Sequence, residues 1–337
     1  MTELLEAYSP NVAIERLMDQ AHRAILTSEN QMVGQIQVEY TKAMRKLIRD
    51  LEQVNAVFMG GKEPTYSQWK QLQLDVQSAK VIAEDLGQFR GAMIEHLGKD
   101  LRDMYRLSYN TAEWALDQVT PEFVDPKYNL PTDRALSLVF SEPWKGQRFS
   151  DRIWAITDEW ALKIQNELTH SIMTGASTRE MATAIRNYVG VPADERLIAR
   201  PRASAQLYRA NLIARTELIR AARMAQDQSY QDNDDIIADK EWSAKYGLGG
   251  VCHVCRAKNG KTPKQILEMG LTLEEHPNGR CAWIPKVKSW SELLDQRIKD
   301  IKATPGTIPQ ELRNLRPAKF EYFSEWKGKY LMPEEAA

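Results

Sequence analysis

Cysteine is scarce. The 337 residues hold three, an odd number that cannot pair off into a disulfide framework. Glycine and proline are few for the length, at 17 and 15, and charged residues make up 27 %. That composition argues against a disordered or low-complexity chain. No stretch approaches the roughly 18 uninterrupted apolar residues that a membrane span needs. Neither sign of charge dominates, with 45 Lys and Arg against 46 Asp and Glu and a net charge of −1. A protein that coats naked nucleic acid is expected to be strongly basic instead. The opening residues, Met1 to Ala7, lack both the basic start and the apolar core of a signal peptide. The expected setting is therefore a reducing cytoplasm, where the cysteines serve as thiols or metal ligands.

What the chain does have is helical periodicity. Ser9 and Pro10 read as an N-cap and first-turn pair. Met18, Ala21, Ile25, Met32, Ile36, Tyr40, Ala43, Leu47, Leu51 and Val54 follow in steps of three, four or seven and form one apolar stripe. Gly60 and Gly61 stop it, and a second stripe runs through Trp69, Leu72, Val76, Ala79, Ala83, Leu86, Met93, Leu97, Leu101 and Met104. Two long helices joined by a short turn, Gly60 to Pro64, predict an antiparallel hairpin. Four prolines between 119 and 149 break the pattern. Helices resume from Ser150 to Gly175, from a capping box at Ser177–Glu180 to Gly190, and from about Ser204 to Tyr230. Lys240 to Ala244 and Cys281 to Pro285 read as short strands, with a short helix from Thr262 or Pro263 to Met269 between them and another from Ser289 to about Lys302 after them. The Pro-punctuated tail carries Phe320, Tyr322, Phe323, Trp326 and Tyr330 and is expected to pack as an arm.

The expected fold is mainly α. Residues 1–130 form a long-helix domain, 131–235 a central helical domain, 236–290 a small α+β cysteine/histidine subdomain, and 291–337 a helix and extended arm.

Arginine is unevenly placed. Arg179, Arg186, Arg196, Arg200, Arg202, Arg209, Arg215, Arg220 and Arg223 crowd residues 179–223, which hold four acids and no lysine. An acidic stretch of Asp227, Asp232, Asp234, Asp235, Asp239 and Glu241 follows. The two blocks either pair within the chain, form a solvated face, or leave the arginines to meet DNA phosphates or an acidic partner.

The sharpest local pattern is Cys252-x2-Cys255-x20-His276-x4-Cys281. Zinc takes four tetrahedral sulfur and nitrogen ligands, and such a closed site would be structural. Gly250 and Gly279 would supply its tight backbone. Incidental thiols are the plain alternative, and His253 is a competing ligand whose side chain is expected to point away. A redox pair lacks its βαβ unit, and a zinc hydrolase lacks its H-x-E acid.

With these residues in view, the chain resembles the phage head morphogenesis (minor capsid) family, typified by the phage Mu F protein and the minor head protein of phage SPP1. Trp144 to Ile153, Ile172 to Ala182, the Ala214-Arg215-Thr216-Glu217 run, Lys240-Glu241-Trp242, Cys252-x2-Cys255, Asn259-Gly260 and His276-Pro277 to Cys281 occur in the family's order. The match covers about 140–290, making 131–235 the Mu F-like domain. Gly279 stands where members often carry a cysteine, and the loop Tyr246–Gly250 replaces a common Asp. The resemblance implies a structural protein of the virion, in the capsid interior or at the portal vertex, made in the bacterial host cytoplasm. Its implied partners are the portal protein, major capsid or scaffold proteins, and phage genomic DNA. It implies an influence on DNA packaging or ejection, with no catalytic residue.

Arg215 and Glu217 lie about 200° apart on a helix and cannot pair with each other. Each needs a partner on another element, one of them expected to be the cysteine subdomain. A His-metal nuclease and a zinc-containing DNA-binding protein remain as alternative functions.

Overall fold

The computed structural model describes residues 10–59, 68–120, 124, 126, 137–138, 140–141, 148–174, 178–189, 205–244, 251–273, 276–277, 279–289, 291–293, 295–296 and 299. The protein is mainly helical, with a small two-stranded sheet toward the C-terminal end. Its elements are α1 (Pro10–Met59), α2 (Gln68–Val119), α3 (Phe149–Met173), α4 (Thr178–Val189), α5 (Ala205–Asp232), β1 (Ile237–Ser243), α6 (His253–Lys258), α7 (Pro263–Glu268) and β2 (Ala282–Val287). No helix among the described residues is long and apolar enough to cross a membrane. The turn Gly60–Pro64, the cap residue Ser177, the loop Tyr246–Gly250 and the aromatic tail lie outside the described residues.

The chain groups into two compact units, each assembled from separated segments. One gathers 1–28, 102–139 and 219–337, and the other 29–101 and 140–218. The expected domains run consecutively along the chain, whereas both long helices contribute to both units.

In the 29–101/140–218 unit, α1 and α2 run antiparallel. Tyr40 meets Phe89, and further along α1 Lys46 pairs with Asp85, a position earlier on α2. Trp160 on α3 completes an aromatic trio, with ring centroids 5.4 Å from Tyr40 and 5.9 Å from Phe89. Such edge and offset packing adds to the burial of three large rings. The Tyr40 hydroxyl donates to the carbonyl of Val189, the last residue of α4, 2.8 Å away. It thereby satisfies an acceptor left open at a helix end. Helix α3 is also antiparallel to α2. Asp75 accepts from Gln165 and Thr169, while Arg90 donates to Thr157 and Asp158 and stacks 3.7 Å from the Trp154 ring.

The apolar stripe of α1 is close to expectation, though Val33 and Met44 are buried deeper than their neighbours Met32 and Ala43. The beginning of α2 departs from it. Val76 is 59 % exposed and Ala79 and Ala83 face outward, while Leu74, Ser78, Ile82 and Asp85 are buried. Two polar residues interrupt the buried face, so the eye follows a neighbouring row of small apolar ones.

In the other unit the sheet sits on helices. β1 and β2 are antiparallel, with Trp242 opposite Trp283 and Ser243 opposite Ala282. The Trp242 N–H donates to the Lys261 carbonyl and its carbonyl accepts from the Gly260 N–H, at 2.9 and 2.8 Å. Both backbone groups of Trp242 therefore point away from β2. Such non-hydrogen-bonded pairs bring side chains closest, and the two indoles meet edge to face at 4.9 Å. The outer edge of β2 is closed by side chains. Tyr230 donates to the Trp283 carbonyl at 3.0 Å, Arg223 to that of Cys281, and Asn11 accepts from the Val287 N–H at 2.9 Å. A sheet edge that would otherwise remain open is thus capped. The shared core includes Ile14, Met18, Trp114, Leu116, Trp242, Trp283 and Ile284.

Candidate metal centre

The cysteine segment is short of apolar residues and is shaped by caps. Cys252 is the N-cap of α6, and its Sγ accepts from the Cys255 N–H at 3.3 Å. One helical turn then carries Cys255 into the core, where it is 2 % exposed. Thr262 and Gln265 form a reciprocal capping box at the start of α7. Among the described residues, Gly260 and Gly270 are left-handed, at φ of 70° and 71°. The Gly279 N–H closes a turn onto the His276 carbonyl at 3.1 Å, and Gly250 lies outside the described residues.

Cys252, Cys255 and His276 converge. One ligand atom from each lies within 4.8 Å of the other two, close enough to hold a metal ion. A tetrahedral ion with sulfur ligands at about 2.3 Å places its donors about 3.7 Å apart, a modest contraction from this arrangement. His276 is exposed, and its Nδ1 is 2.9 Å from the Pro277 carbonyl. A proton held there leaves the lone pair on Nε2, as a metal-bound imidazole requires. Cys281 falls outside the triplet but adjoins it, since its thiol hydrogen-bonds with that of Cys255. His253 is exposed on α6 and takes no part in the group.

The thiols are electrostatically unequal. Burial pushes Cys281 up to about 12, with Cys255 adding to the effect and Arg223 opposing it. Cys255 is also raised, by burial first and then by the hydrogen bond with Cys252. For Cys252 burial acts upward too, but hydrogen bonds from the Cys255 and Val254 backbone and the Cys255 thiol outweigh it and hold the thiol below its ordinary value. The N-cap cysteine is thus the readiest thiolate, and the two buried ones need a cation to become ligands.

Three residues outside the expected ligand set lie around it. Lys258, 2 % exposed, lies with its Nζ 4.9 Å from the Trp242 ring. Arg223 places Nε and one terminal nitrogen 2.9 and 2.7 Å from the Cys281 carbonyl, with its guanidinium 5.4 Å from the same ring. His22 is 3.0 Å through Nε2 from the carbonyl of buried Arg280. Loss of water around His22 pulls it down to about 4, so it is neutral at physiological pH and donates from Nε2. Lys258 follows Cys255 by three residues, a spacing that a helical reading of the segment would have flagged. Nothing in the sequence ties His22 or Arg223 to the cysteines.

Arg223, one of the arginines expected to meet DNA or an acidic partner, bonds the cysteine segment within the protein. Others in the block are engaged inside the protein. Arg186 pairs with Glu52 at 2.7 Å and Arg209 with Glu159 at 2.5 Å. Arg179 is exposed, Arg220 is half-buried, and Arg196, Arg200 and Arg202 lie outside the described residues. The acidic stretch is used elsewhere as well. Asp227 pairs with Lys240, Asp232 accepts from Tyr109, and Glu241 pairs with Lys286 at 2.9 Å.

The Arg215-Thr216-Glu217 run is a helix clamp. Arg215 reaches Glu29 of α1 at 3.1 Å, and Glu217 pairs with Arg152 of α3. Glu29 and Glu217 are almost fully enclosed, at 0 and 1 %. Thr216 donates to the Leu212 carbonyl one turn back. The partners are thus long helices rather than the expected cysteine subdomain. Trp242 lies in the core beside Trp283, and Lys258 and Arg223 both sit over the Trp242 ring.

No protein-family model, curated protein or solved structure matches the chain.

Proposed function

We propose that the protein is a structural minor capsid protein of a tailed phage, built around a zinc-bound knuckle. It would act in head morphogenesis by associating with the portal and the procapsid interior. The observation that carries this reading is a convergence. Trp242, Cys252, Cys255, Asn259, Gly260, His276 and Cys281, which the resemblance singles out across forty residues, meet around one short sheet. Asn259 accepts from the Ala244 N–H at 2.9 Å, and Gly260 bonds Trp242. These residues brace β1 on the edge opposite β2.

Zinc is the proposed ion because three thiols and an imidazole are a borderline-soft donor set suited to a closed tetrahedral site. Its role is structural, holding a segment with few apolar residues of its own. The long helices supply protein-binding surface, and DNA contact falls to Arg179 and the arginines outside the described residues. The host cytoplasm is the proposed site of synthesis and the virion the destination.

The test is affinity capture of the tagged chain from phage-producing cells, followed by analysis of purified procapsids. Recovery of the portal protein in the capture and of this chain in procapsids at low copy is expected. Absence from both particles and portal complexes would sink the proposal.

A further inference from the structure

The geometry points to Lys258 and Arg223 as a pair of counter-cations, held against Trp242, that offset the charge of a metal site with three thiolates. The inference rests on the zinc reading above.

A divalent ion with three thiolates and a neutral imidazole carries a net charge of −1. Such a centre sits at the edge of an apolar core that contains Cys255 and Cys281. Charge placed there without an opposite charge nearby is strongly disfavoured. The same holds in reverse for a lysine that is 2 % exposed. The electrostatic neighbours of Lys258 include the Cys255, Cys281 and Cys252 thiols and Arg223. Those of Arg223 include Cys281, Cys255, Asp227, Lys258 and His22. One buried and one half-buried cation therefore share the Cys255 and Cys281 thiols.

Position supports the pairing. Lys258 follows Cys255 by three residues on α6, which places both on one helix face. Arg223 enters from α5 and grips the Cys281 carbonyl with two N–H groups, fixing the backbone of the fourth ligand. Trp242 supplies the negative face of its indole to both, with Lys258 at 4.9 Å and Arg223 at 5.4 Å. Trp283 packs edge-on against that indole and holds its orientation. Asp227, which also faces Arg223, takes part of the surplus positive charge. Trp242, Lys258 and Arg223 thus act as positioning residues around the ligands.

The experiment compares zinc affinity of the full-length protein with that of Lys258→Met and Lys258→Arg, by competition against a chromogenic chelator. Cobalt-substituted samples report the thiolate ligands through their sulfur-to-metal charge-transfer band. Lys264→Met, at an exposed lysine on α7, serves as control. Lys258→Met should bind zinc about 10- to 100-fold more weakly with a diminished charge-transfer band, the loss typical of outer-shell partners. Lys258→Arg should recover most of the affinity and the band, and Lys264→Met should match wild type. Should Lys258→Met lose its helical circular dichroism, Lys258→Gln replaces it in the same comparison. Zinc-binding wild type with an equally tight neutral variant overturns the inference alone, as does an arginine variant no better than methionine. Wild-type protein that holds no zinc overturns the zinc reading and the inference with it.

Discussion

Glu113 shows how one buried group sets a pH response. It is 1 % exposed and accepts from Ser229 at 2.7 Å and from Asn233 at 2.9 Å. Those bonds favour the carboxylate, but burial is the larger effect, and nearby Asp232 adds to it, so the group is raised to about 8. In the unfolded chain it ionises near its ordinary value of 4.5. Between these values the folded state keeps a proton that the unfolded state has lost. Its contribution to stability is therefore full below the unfolded value and is lost as pH rises through the folded one. The slope contributed approaches about 1.4 kcal/mol per pH unit at most. Glu113→Gln, which resembles the protonated acid, should remove this slope and be more stable than wild type above pH 8. Urea melts from pH 5 to 9 check it, and parallel wild-type and variant curves would refute the assignment. Arg215 and Glu217 belong to the same scale. Their opposed directions were legible from helix geometry, but the identity of Glu29 and Arg152 as partners depends on how α1 and α3 pack, which no local spacing encodes.

Among the elements, the helices were legible wherever apolar residues recur without interruption, as in α1, α3 and α5. The start of α2 was misread because Ser78 and Asp85 occupy its buried face. Helix α6 was hidden because six residues with two cysteines present no stripe, although Cys252 caps it. The same logic divides the metal site. Ligand spacing announced Cys252, Cys255 and His276, whereas His22 and Arg223 arrive from distant helices to hold the Arg280 and Cys281 carbonyls just before β2. Gly260 is where the backbone itself carries the argument. Its φ of 70° lies in the left-handed region, its N–H holds the Trp242 carbonyl, and a Cβ there would meet open space. Gly260→Ala should thus cost only the backbone term, about 1–2 kcal/mol. Thermal or urea melts measure it, and a change within about 0.5 kcal/mol, the range of an ordinary surface substitution, would show that the turn relaxes freely.

At the scale of the whole molecule, the two compact units differ in what holds them. One is centred on Tyr40, Phe89 and Trp160 and on buried ion pairs between long helices. The other includes Cys255 and Cys281 in its core and draws its short sheet together beside the candidate metal centre. Metal binding to such a segment contributes directly to its folding free energy. Chelation should therefore open the second unit locally and leave the first intact, a sub-global event rather than full unfolding. Hydrogen exchange followed by mass spectrometry resolves the two. Amides of Trp242, Gly260 and Met269, whose bonds brace β1 and α7, should lose protection when a strong chelator is added. Amides of α3 between Ile153 and Leu168 should keep theirs. Protection unchanged at Trp242 and Gly260 would mean that the sheet stands on its apolar core without a metal. Equal loss along α3 would mean that the two units unfold together, so that the knuckle stabilises the entire chain.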